Sequence, residues 1–185
     1  VNVSRLPWQA TIAITFVIFP MVSEATFSED LERTRLYIRQ TMRYSMILVG
    51  AAVVVLVALP EPIFRILPKG YESGAIALLW LAPAYFSFSL FNIVNTLLMS
   101  SNRAGLALLV GLITVVIAVV LYIQVLPIAD SPESLLRYAA LATFVAFTTG
   151  LILGVIALWR AFGPPIPVLT LIRISVVIGA LVVAG

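Results

Sequence analysis

The sequence contains neither cysteine nor histidine among its 185 residues. Without cysteine, the chain can form no disulfide and offers no thiolate for catalysis or metal binding. Without histidine, it lacks the commonest general base and the commonest metal ligand of proteins. We therefore expect no cofactor and no enzymatic centre built on these residues, and other features must indicate the function.

Charged residues are also scarce. They make up 10% of the chain, whereas hydrophobic residues make up 62% and the mean hydropathy is +1.15. A soluble domain carries roughly 25% charged residues, so this chain could not cover a water-facing surface. Lipid must be its solvent, and only helices or closed barrels satisfy their backbone polar groups in lipid. The apolar runs are nearly continuous and about 20 residues long, which predicts membrane-spanning helices rather than short, alternating barrel strands.

The sequence therefore predicts an all-α, polytopic transmembrane helix bundle with about six spans. Pro60 and Pro62 end the second span, because proline breaks helix geometry. The turn Ser101-Asn102-Arg103-Ala104-Gly105 separates the third span from the fourth. The spans lie at about 8–22, 44–59, 75–99, 106–126 and 135–159, and a sixth begins at residue 168. The chain starts at Val1 and stops inside an apolar run, so we interpret residues 1–185 as a single membrane domain from a longer protein.

The stretch FPMVSEATFSEDLERTRLYIRQTMR, residues 19–43, holds eight of the nineteen charged side chains. We predict an amphipathic helix over residues 27–43 that lies at the membrane interface between the first two spans. Ser28 is the expected N-cap, and the acidic residues that follow it would lie at the positive end of the helix dipole. Glu29 has the spacing to form an ion pair with Arg33 one turn later.

Arg35, Arg39 and Arg43 form one ridge of this predicted helix at i, i+4 spacing. We prefer the interpretation that the segment is a solvated linker facing the lipid headgroups. The alternative is that the ridge contacts a phosphate, of a lipid or of a substrate, through charge-assisted hydrogen bonds. The net charge of +3 does not indicate a nucleic-acid partner, because nothing else in the chain forms a basic surface or a recognised nucleic-acid-binding fold.

The cations also predict an orientation. Because short links return the chain to the membrane, the two sides alternate from one link to the next. Six arginines fall on the side of the charged stretch and four cations on the other: Arg33, Arg35, Arg39, Arg43, Arg103 and Arg160 against Arg5, Arg65, Lys69 and Arg137. The positive-inside rule assigns the side with six arginines to the cytoplasm.

The order of these features resembles a known family. An apolar helix ends in Phe19-Pro20, an acidic and then arginine-rich helix follows, and the next membrane helix ends in Glu61-Pro62-Ile63. A loop with Gly70-Tyr71 then precedes a long helix. This run, from about residue 5 to residue 126, is similar to the C-terminal half of polysaccharide flippases of the multidrug/oligosaccharidyl-lipid/polysaccharide superfamily. Pro68 departs from the family, which often has a glycine shortly before the tyrosine.

The resemblance implies a full protein of twelve or fourteen helices in two pseudo-symmetric lobes, with this chain supplying most of the second. It implies a transporter, not an enzyme, that moves an undecaprenyl-diphosphate-linked oligosaccharide across the bacterial cytoplasmic (inner) membrane by alternating access. Such transporters keep the substrate path at the interface between their repeats. The expected partners are the lipid-linked glycan, membrane lipids and the N-terminal lobe of the same protein.

Polar residues at membrane depth are candidates for the substrate path, because they are unfavourable there unless they face protein or water. On the third span they recur at helical spacing, as Tyr85, Ser89, Asn92, Asn95 and Thr96. We predict that the substrate cavity includes Arg5, Gln9, Asn92 and Asn95, since the resemblance places a cation near the first span of this lobe. Arg5 would then meet the substrate pyrophosphate. The competing interpretations are hydrogen bonds between helices for the polar stripe, and snorkelling to the interface for Arg5.

Three other functions stay open at this point. A cation-coupled multidrug exporter of the same superfamily would favour a buried carboxylate in its spans, and the predicted spans contain none. A membrane glycosyltransferase or polymerase would need acidic residues or histidine in a large outward loop, whereas the loops are short. A non-catalytic membrane scaffold is compatible with the composition alone. Gly150 and Gly154 also form a G-x-x-x-G pattern, which would allow close helix packing.

Overall fold

The computed structural model describes residues 6–58 and 74–165, and every regular element in these ranges is a helix. The five α-helices are α1 (Leu6–Phe27), α2 (Leu31–Ala58), α3 (Gly74–Ser100), α4 (Ala104–Val125) and α5 (Pro132–Phe162). A short 3-10 helix, Leu126–Ile128, follows α4 directly. The predicted all-helical fold is confirmed.

Four of these helices contain a segment that is long and apolar enough to span a membrane. The segments are Leu31–Ala58, Leu81–Ser100, Ala104–Val125 and Ser134–Phe162. Helix α1 contributes a shorter apolar segment, Thr11–Phe27. The predicted sixth span, from residue 168, lies outside the described residues, so the count of about six spans is not confirmed.

The prediction of a separate interfacial helix over residues 27–43 is wrong. The arginine-rich segment and the second span form one continuous helix, α2, without a break between Arg43 and Tyr44. Helix α2 contains no proline, and Gly50 is its single glycine. Nothing therefore interrupts the backbone hydrogen bonds at the point where the chain passes from the charged segment into the apolar one.

Helix α1 is longer than the sequence indicated. The first span was predicted at about residues 8–22, with Phe19-Pro20 at its end, whereas α1 continues to Phe27 with Pro20 inside it. Proline removes one backbone hydrogen bond, but membrane helices tolerate this where neighbouring groups satisfy the freed carbonyl. The acidic side chain of Glu24 consequently belongs to the last turn of α1 rather than to a link.

Two turns of the same kind join helices at one end of the bundle. Glu29 and Asn102 both have φ of 57°, which lies in the left-handed region that residues other than glycine rarely adopt. After Glu29, the Asp30 amide donates to the Ala25 carbonyl at 3.1 Å, and after Asn102 the Arg103 amide donates to the Leu98 carbonyl at 2.9 Å. These bonds are typical of the Schellman motif, which ends helices with a left-handed residue.

The N-cap of α2 is Asp30 and not Ser28, which corrects the sequence prediction. Asp30 Oδ1 accepts a hydrogen bond from the Arg33 amide at 2.9 Å. The Ser28 amide instead donates to the Glu24 carbonyl at 2.9 Å and completes the end of α1. Because α1 extends to Phe27, the next helix can begin only after the chain has turned at Glu29.

Helix α3 lies at the centre and packs against each of the other four helices. The largest core cluster draws on all five helices, and its members include Val22, Ile38, Leu97, Ala107 and Phe162. Val22 and Ile38 lie on either side of the turn at residues 28–30, and Leu97 and Ala107 lie on either side of the turn at residues 101–103. Phe162 is the last residue of α5. These three segments therefore share one end of the bundle, in agreement with the predicted alternation of sides.

The predicted close packing at the G-x-x-x-G pattern is confirmed. Gly150 and Gly154 of α5 are both buried. A Cβ atom built on Gly150 would lie 2.9 Å from Cε2 of Phe91 in α3 and would also collide with the side chain of Thr114 in α4. Glycine at this position therefore lets three helices meet.

Candidate functional site

Part of the polar stripe on α3 is used for hydrogen bonds within the helix. Asn92 Nδ2 donates to the Phe88 carbonyl and Thr96 Oγ1 donates to the Asn92 carbonyl, each at 2.9 Å. Both acceptors are backbone groups one turn earlier in α3. These two hydrogen bonds do not join α3 to another helix, so Asn92 Nδ2 and Thr96 Oγ1 do not form the hydrogen bonds between helices that were one interpretation of the stripe.

Ser89 and Asn95 lie in the same stripe and hold buried oxygen atoms without a hydrogen-bond partner among the described residues. Ser89 is fully buried, whereas the Asn95 side chain is half-buried. A buried oxygen left in this way is unfavourable by about 1–3 kcal/mol. This side of α3 therefore retains hydrogen-bonding capacity that the described residues do not use.

Two hydrogen bonds between helices were not predicted. The Ser87 and Thr148 hydroxyls lie 2.8 Å apart and join α3 to α5. Tyr122 of α4 lies 2.6 Å from Oγ1 of Thr143 in α5, and the tyrosine is the donor because the Thr143 hydrogen is directed to the Ala139 carbonyl at 2.8 Å. The sequence gives no signal for these pairs, since a helical serine or threonine commonly bonds to its own backbone.

A cavity of about 350 Å³ lies between α3, α4 and α5, and aromatic rings form much of its wall. The Phe88 and Phe147 rings lie 4.6 Å apart, and Tyr85 meets Phe88 edge-on at 6.1 Å. The Tyr122 and Thr143 side chains complete the lining with Leu81 and Ala84. The cavity is mostly apolar, with a few hydroxyl groups at its wall.

The structure relates some of the predicted cavity residues to one another. Arg5 lies outside the described residues. Gln9 is exposed on α1, next to Trp8, whose ring lies 6.1 Å from the ring of Phe88 in α3. Since Asn92 bonds to the Phe88 carbonyl, the Gln9 end of α1 and Asn92 lie in the same region of the bundle. Gln9, Asn92 and Asn95 do not line the aromatic cavity, and their part in a substrate path stays a prediction.

The arginine ridge lies on the first turns of α2. Arg35, Arg39 and Arg43 are all exposed, and none has a hydrogen bond or ion pair with another described residue. The opposite face of the same turns is buried, through Thr34 and Ile38. The three guanidinium groups are thus free to meet water or phosphate, and the choice between a solvated linker and a phosphate contact stays open.

Arg33 differs from the other arginines of α2 because it has a defined protein partner, which was not predicted from the sequence. Its Nε donates to the Tyr37 hydroxyl at 2.9 Å, and its guanidinium carbon lies 5.4 Å from the centroid of the same ring. The predicted ion pair with Glu29 is wrong, because Glu29 occupies the left-handed position of the turn and lies outside α2. The signal that could have found the Arg33–Tyr37 pair is its spacing of one helical turn.

A groove of about 150 Å³, the α1–α2 groove, lies beside Tyr37. Its apolar wall comes from α1 and its polar wall from α2, through Ile14, Ile18, Met21, Tyr37, Gln40, Thr41, Tyr44 and Ser45. The Thr41 and Ser45 hydroxyls are buried and have no hydrogen-bond partner among the described residues. Nowhere in the described ranges do three or more acidic, histidine or cysteine side chains form a group that could hold a metal ion.

Comparison with curated proteins finds similarity to part of a lipid II flippase. The chain is 28% identical over 163 residues to the lipid II flippase MurJ of Bacillus subtilis (strain 168). The match covers 85% of this chain and 29% of that protein, so the chain spans less than a third of the relative's length. No protein-family model matches the chain, and neither does any solved structure.

The match agrees with the resemblance drawn from the charged stretch and the helix pattern. The four membrane-length helices, found independently of the match, support a multi-pass location in a membrane. The chain is therefore a multi-pass membrane protein with weak homology to a lipid II flippase of the superfamily that its sequence resembles.

Proposed function

We propose that the intact protein moves a lipid-linked glycan across the cytoplasmic membrane of a bacterium. The observation that carries this proposal is the match to a lipid II flippase over 85% of the chain. A flippase is a transporter rather than an enzyme, so we expect neither a catalytic residue nor a cofactor. An undecaprenyl-diphosphate-linked oligosaccharide is the substrate class that we propose.

The transport path would lie between this chain and an N-terminal lobe of the same protein, opened to each side of the membrane in turn. The stripe on α3 supports this placement. Asn92 and Asn95 are half-buried, and the oxygens of Ser89 and Asn95 have no partner among the described residues. A hydrated path along this side of α3 would reach the half-buried Asn92 and Asn95 side chains, whereas Ser89 is fully covered by the described helices. Arg5 would bind the substrate pyrophosphate, with Gln9 beside it.

The arginine ridge would lie at the cytoplasmic entrance to this path. Arg35, Arg39 and Arg43 are exposed and have no protein partner in the described part of the chain, so their guanidinium groups are available to a phosphate. An arginine binds phosphate through two parallel hydrogen bonds, which gives the contact both strength and orientation. If the ridge is only a solvated linker, neutralising the three arginines together will leave transport unchanged.

The positions of the carboxylates support a flippase over a cation-coupled exporter. The acidic residues of the described helices are Glu24, Glu32 and Glu133, and each lies within about one turn of a helix end. No carboxylate thus occupies the middle of a described helix, where an exporter would couple substrate to a cation.

Deletion of the gene in its own host tests the proposal without knowledge of the glycan. We expect an undecaprenyl-diphosphate-linked glycan to accumulate, as measured by mass spectrometry of extracted lipids. Restoring the intact gene should return the lipid pool to its normal size. A deletion strain with unchanged pools of every such lipid would contradict the proposed function.

A further inference from the structure

We propose that the α1–α2 groove binds a zwitterionic phospholipid, with Arg33 on the lipid phosphate and the glycerol ester region inside the groove. The residues that line the groove belong to α1 and α2, and the α3 residues that we assign to transport are not among them. The proposal is therefore independent of the proposed function.

The phosphate contact follows from the way in which Arg33 is held. A guanidinium group carries five N–H donors in a fixed plane, which suits the oxygens of a phosphate. Tyr37 takes the Nε donor at 2.9 Å and lies under the guanidinium carbon at 5.4 Å. The terminal nitrogens have no partner among the described residues. Because Tyr37 also lines the groove, this bond fixes two free donor groups of Arg33 at the mouth of the groove.

The charges around Arg33 select the type of headgroup. The Asp30 carboxylate accepts a hydrogen bond from the Arg33 amide at 2.9 Å, and Glu24 lies in the last turn of α1, before the same turn of the chain. Both residues are exposed, and both attract the guanidinium group electrostatically. A headgroup with net negative charge would be repelled by these two acids. A phosphoethanolamine headgroup would place its phosphate on Arg33 and its ammonium beside a carboxylate, so that both signs are matched. The site should therefore prefer phosphatidylethanolamine to phosphatidylglycerol.

The interior of the groove offers donors for the ester region of the lipid. Thr41 is 3% exposed and Ser45 is 0% exposed, and neither hydroxyl has a partner among the described residues. Both side chains line the groove. Ester carbonyls accept hydrogen bonds but cannot donate them, and the two hydroxyls could supply the donors. Rotation of these side chains toward the groove would let a lipid ester remove the unfavourable state of two buried, unpartnered oxygens.

The apolar wall and the size of the groove match the first part of an acyl chain. Ile14, Ile18 and Met21 form the wall on α1. The volume of about 150 Å³ equals that of an apolar cavity that accommodates benzene, so a short hydrocarbon segment fits but a whole lipid does not. The remaining chain would lie along the adjoining face of α1, where Val17 is 59% exposed.

Lipid binding by the intact protein tests this site. The protein is delipidated in detergent, and its affinity for phosphatidylethanolamine and for phosphatidylglycerol is measured by native mass spectrometry. We expect tighter binding of phosphatidylethanolamine, and we expect Arg33→Gln combined with Tyr37→Phe to weaken it about tenfold, as for the loss of one charge-assisted hydrogen bond. Arg160→Gln is the matched control, because Arg160 is exposed at the same end of the bundle and does not line the groove.

Two further variants separate lipid binding from folding. Met21→Trp should fill the groove and reduce binding while Arg33 and Tyr37 remain in place. Ser45→Ala should leave the unfolding temperature in lipid-free detergent unchanged or raised, because it removes an unpartnered hydroxyl. The same variant should gain less stability than the wild type when phosphatidylethanolamine is added. Glycerophosphoethanolamine, which has no acyl chains, should not compete.

The proposal is overturned if the Arg33/Tyr37 variant binds phosphatidylethanolamine as tightly as the wild type does. It is also overturned if phosphatidylglycerol binds as well as or better than phosphatidylethanolamine, or if Met21→Trp has no effect on binding. Loss of lipid binding in the Arg160→Gln control to the same extent would contradict a site at Arg33.

Discussion

Gly154 of α5 lies directly against Val94 of α3, so closely that a Cβ atom added to the glycine would fall 2.5 Å from the Val94 Cγ1 atom. This contact and the contact of Gly150 with Phe91 fix how near α5 can approach α3. Both glycines are buried, and Val94 belongs to the central core cluster. The two glycines therefore position the helix that forms one wall of the aromatic cavity.

Replacing Gly154 by valine should destabilise the intact protein. The larger side chain would force α3 and α5 apart, and overpacking of this kind typically reduces the free energy of unfolding by about 1–3 kcal/mol. Thermal unfolding in detergent measures the effect. Gly111→Val is the control, because a Cβ atom at Gly111 meets no atom within 4 Å. Equal unfolding temperatures for the two variants would contradict the packing described.

The hydrogen bond between Ser87 and Thr148 should contribute to the association of α3 and α5. Ser87→Ala, Thr148→Val and the double variant form a double-mutant cycle, and we expect a coupling of about 0.6 kcal/mol in the free energy of unfolding. Thr149→Val in place of Thr148→Val gives the control cycle, since Thr149 bonds to the Val145 carbonyl of its own helix. A coupling of zero in the first cycle, or equal coupling in both, would show that the hydroxyl contact adds nothing.

The two left-handed turns should respond in opposite directions to an exchange of their residues. Asparagine tolerates the left-handed conformation better than glutamate does. Glu29→Asn should therefore raise the free energy of unfolding, and Asn102→Glu should lower it, each by up to about 1 kcal/mol. Chemical denaturation of the intact protein in mixed micelles gives both values. Changes of the same sign in the free energy of unfolding of the two variants would contradict the left-handed conformation of these residues.

The absence of cysteine from the chain permits a direct test of its orientation. Glu29 and Asn102 lie in turns at one end of the bundle, and Asp130 lies in the link at the other end. In a cysteine-free version of the intact protein, Glu29→Cys and Asn102→Cys should react with a membrane-impermeant maleimide only after the cytoplasmic face is opened. Asp130→Cys should react in intact cells. The reverse pattern would show that the arginine count assigned the wrong side to the cytoplasm.

The sequence predicted the parts of the fold that depend on long apolar runs and strong breakers. The third, fourth and fifth predicted spans begin and end within about three residues of α3, α4 and α5, because Asn102 and the prolines at 127 and 132 limit those helices. The turn at residues 101–103 was found for the same reason. The apolar runs and the residues that end helices are local properties of the sequence, and they determine the same helix limits in the folded chain.

The region from Phe19 to Arg43 was predicted less well, because its boundaries depend on packing rather than on local signals. Pro20 is tolerated inside α1, and the extension of α1 to Phe27 moves the N-cap from Ser28 to Asp30. For the site, the sequence identified the residue types of the α3 stripe but not their partners. The Arg33–Tyr37 bond and the unpartnered hydroxyls of the α1–α2 groove arise only when two helices meet, so they require the structure.

Movement of a lipid-linked glycan between leaflets is the most direct test of the central claim. The intact protein is reconstituted into vesicles with a labelled undecaprenyl-diphosphate oligosaccharide, and a membrane-impermeant enzyme reports how much glycan becomes accessible with time. We predict that the protein accelerates equilibration relative to protein-free vesicles, and that Arg5→Ala slows it while Arg160→Gln does not. Equilibration at the rate of protein-free vesicles, by a protein that is folded and inserted, would contradict the proposed function as a lipid-linked glycan flippase.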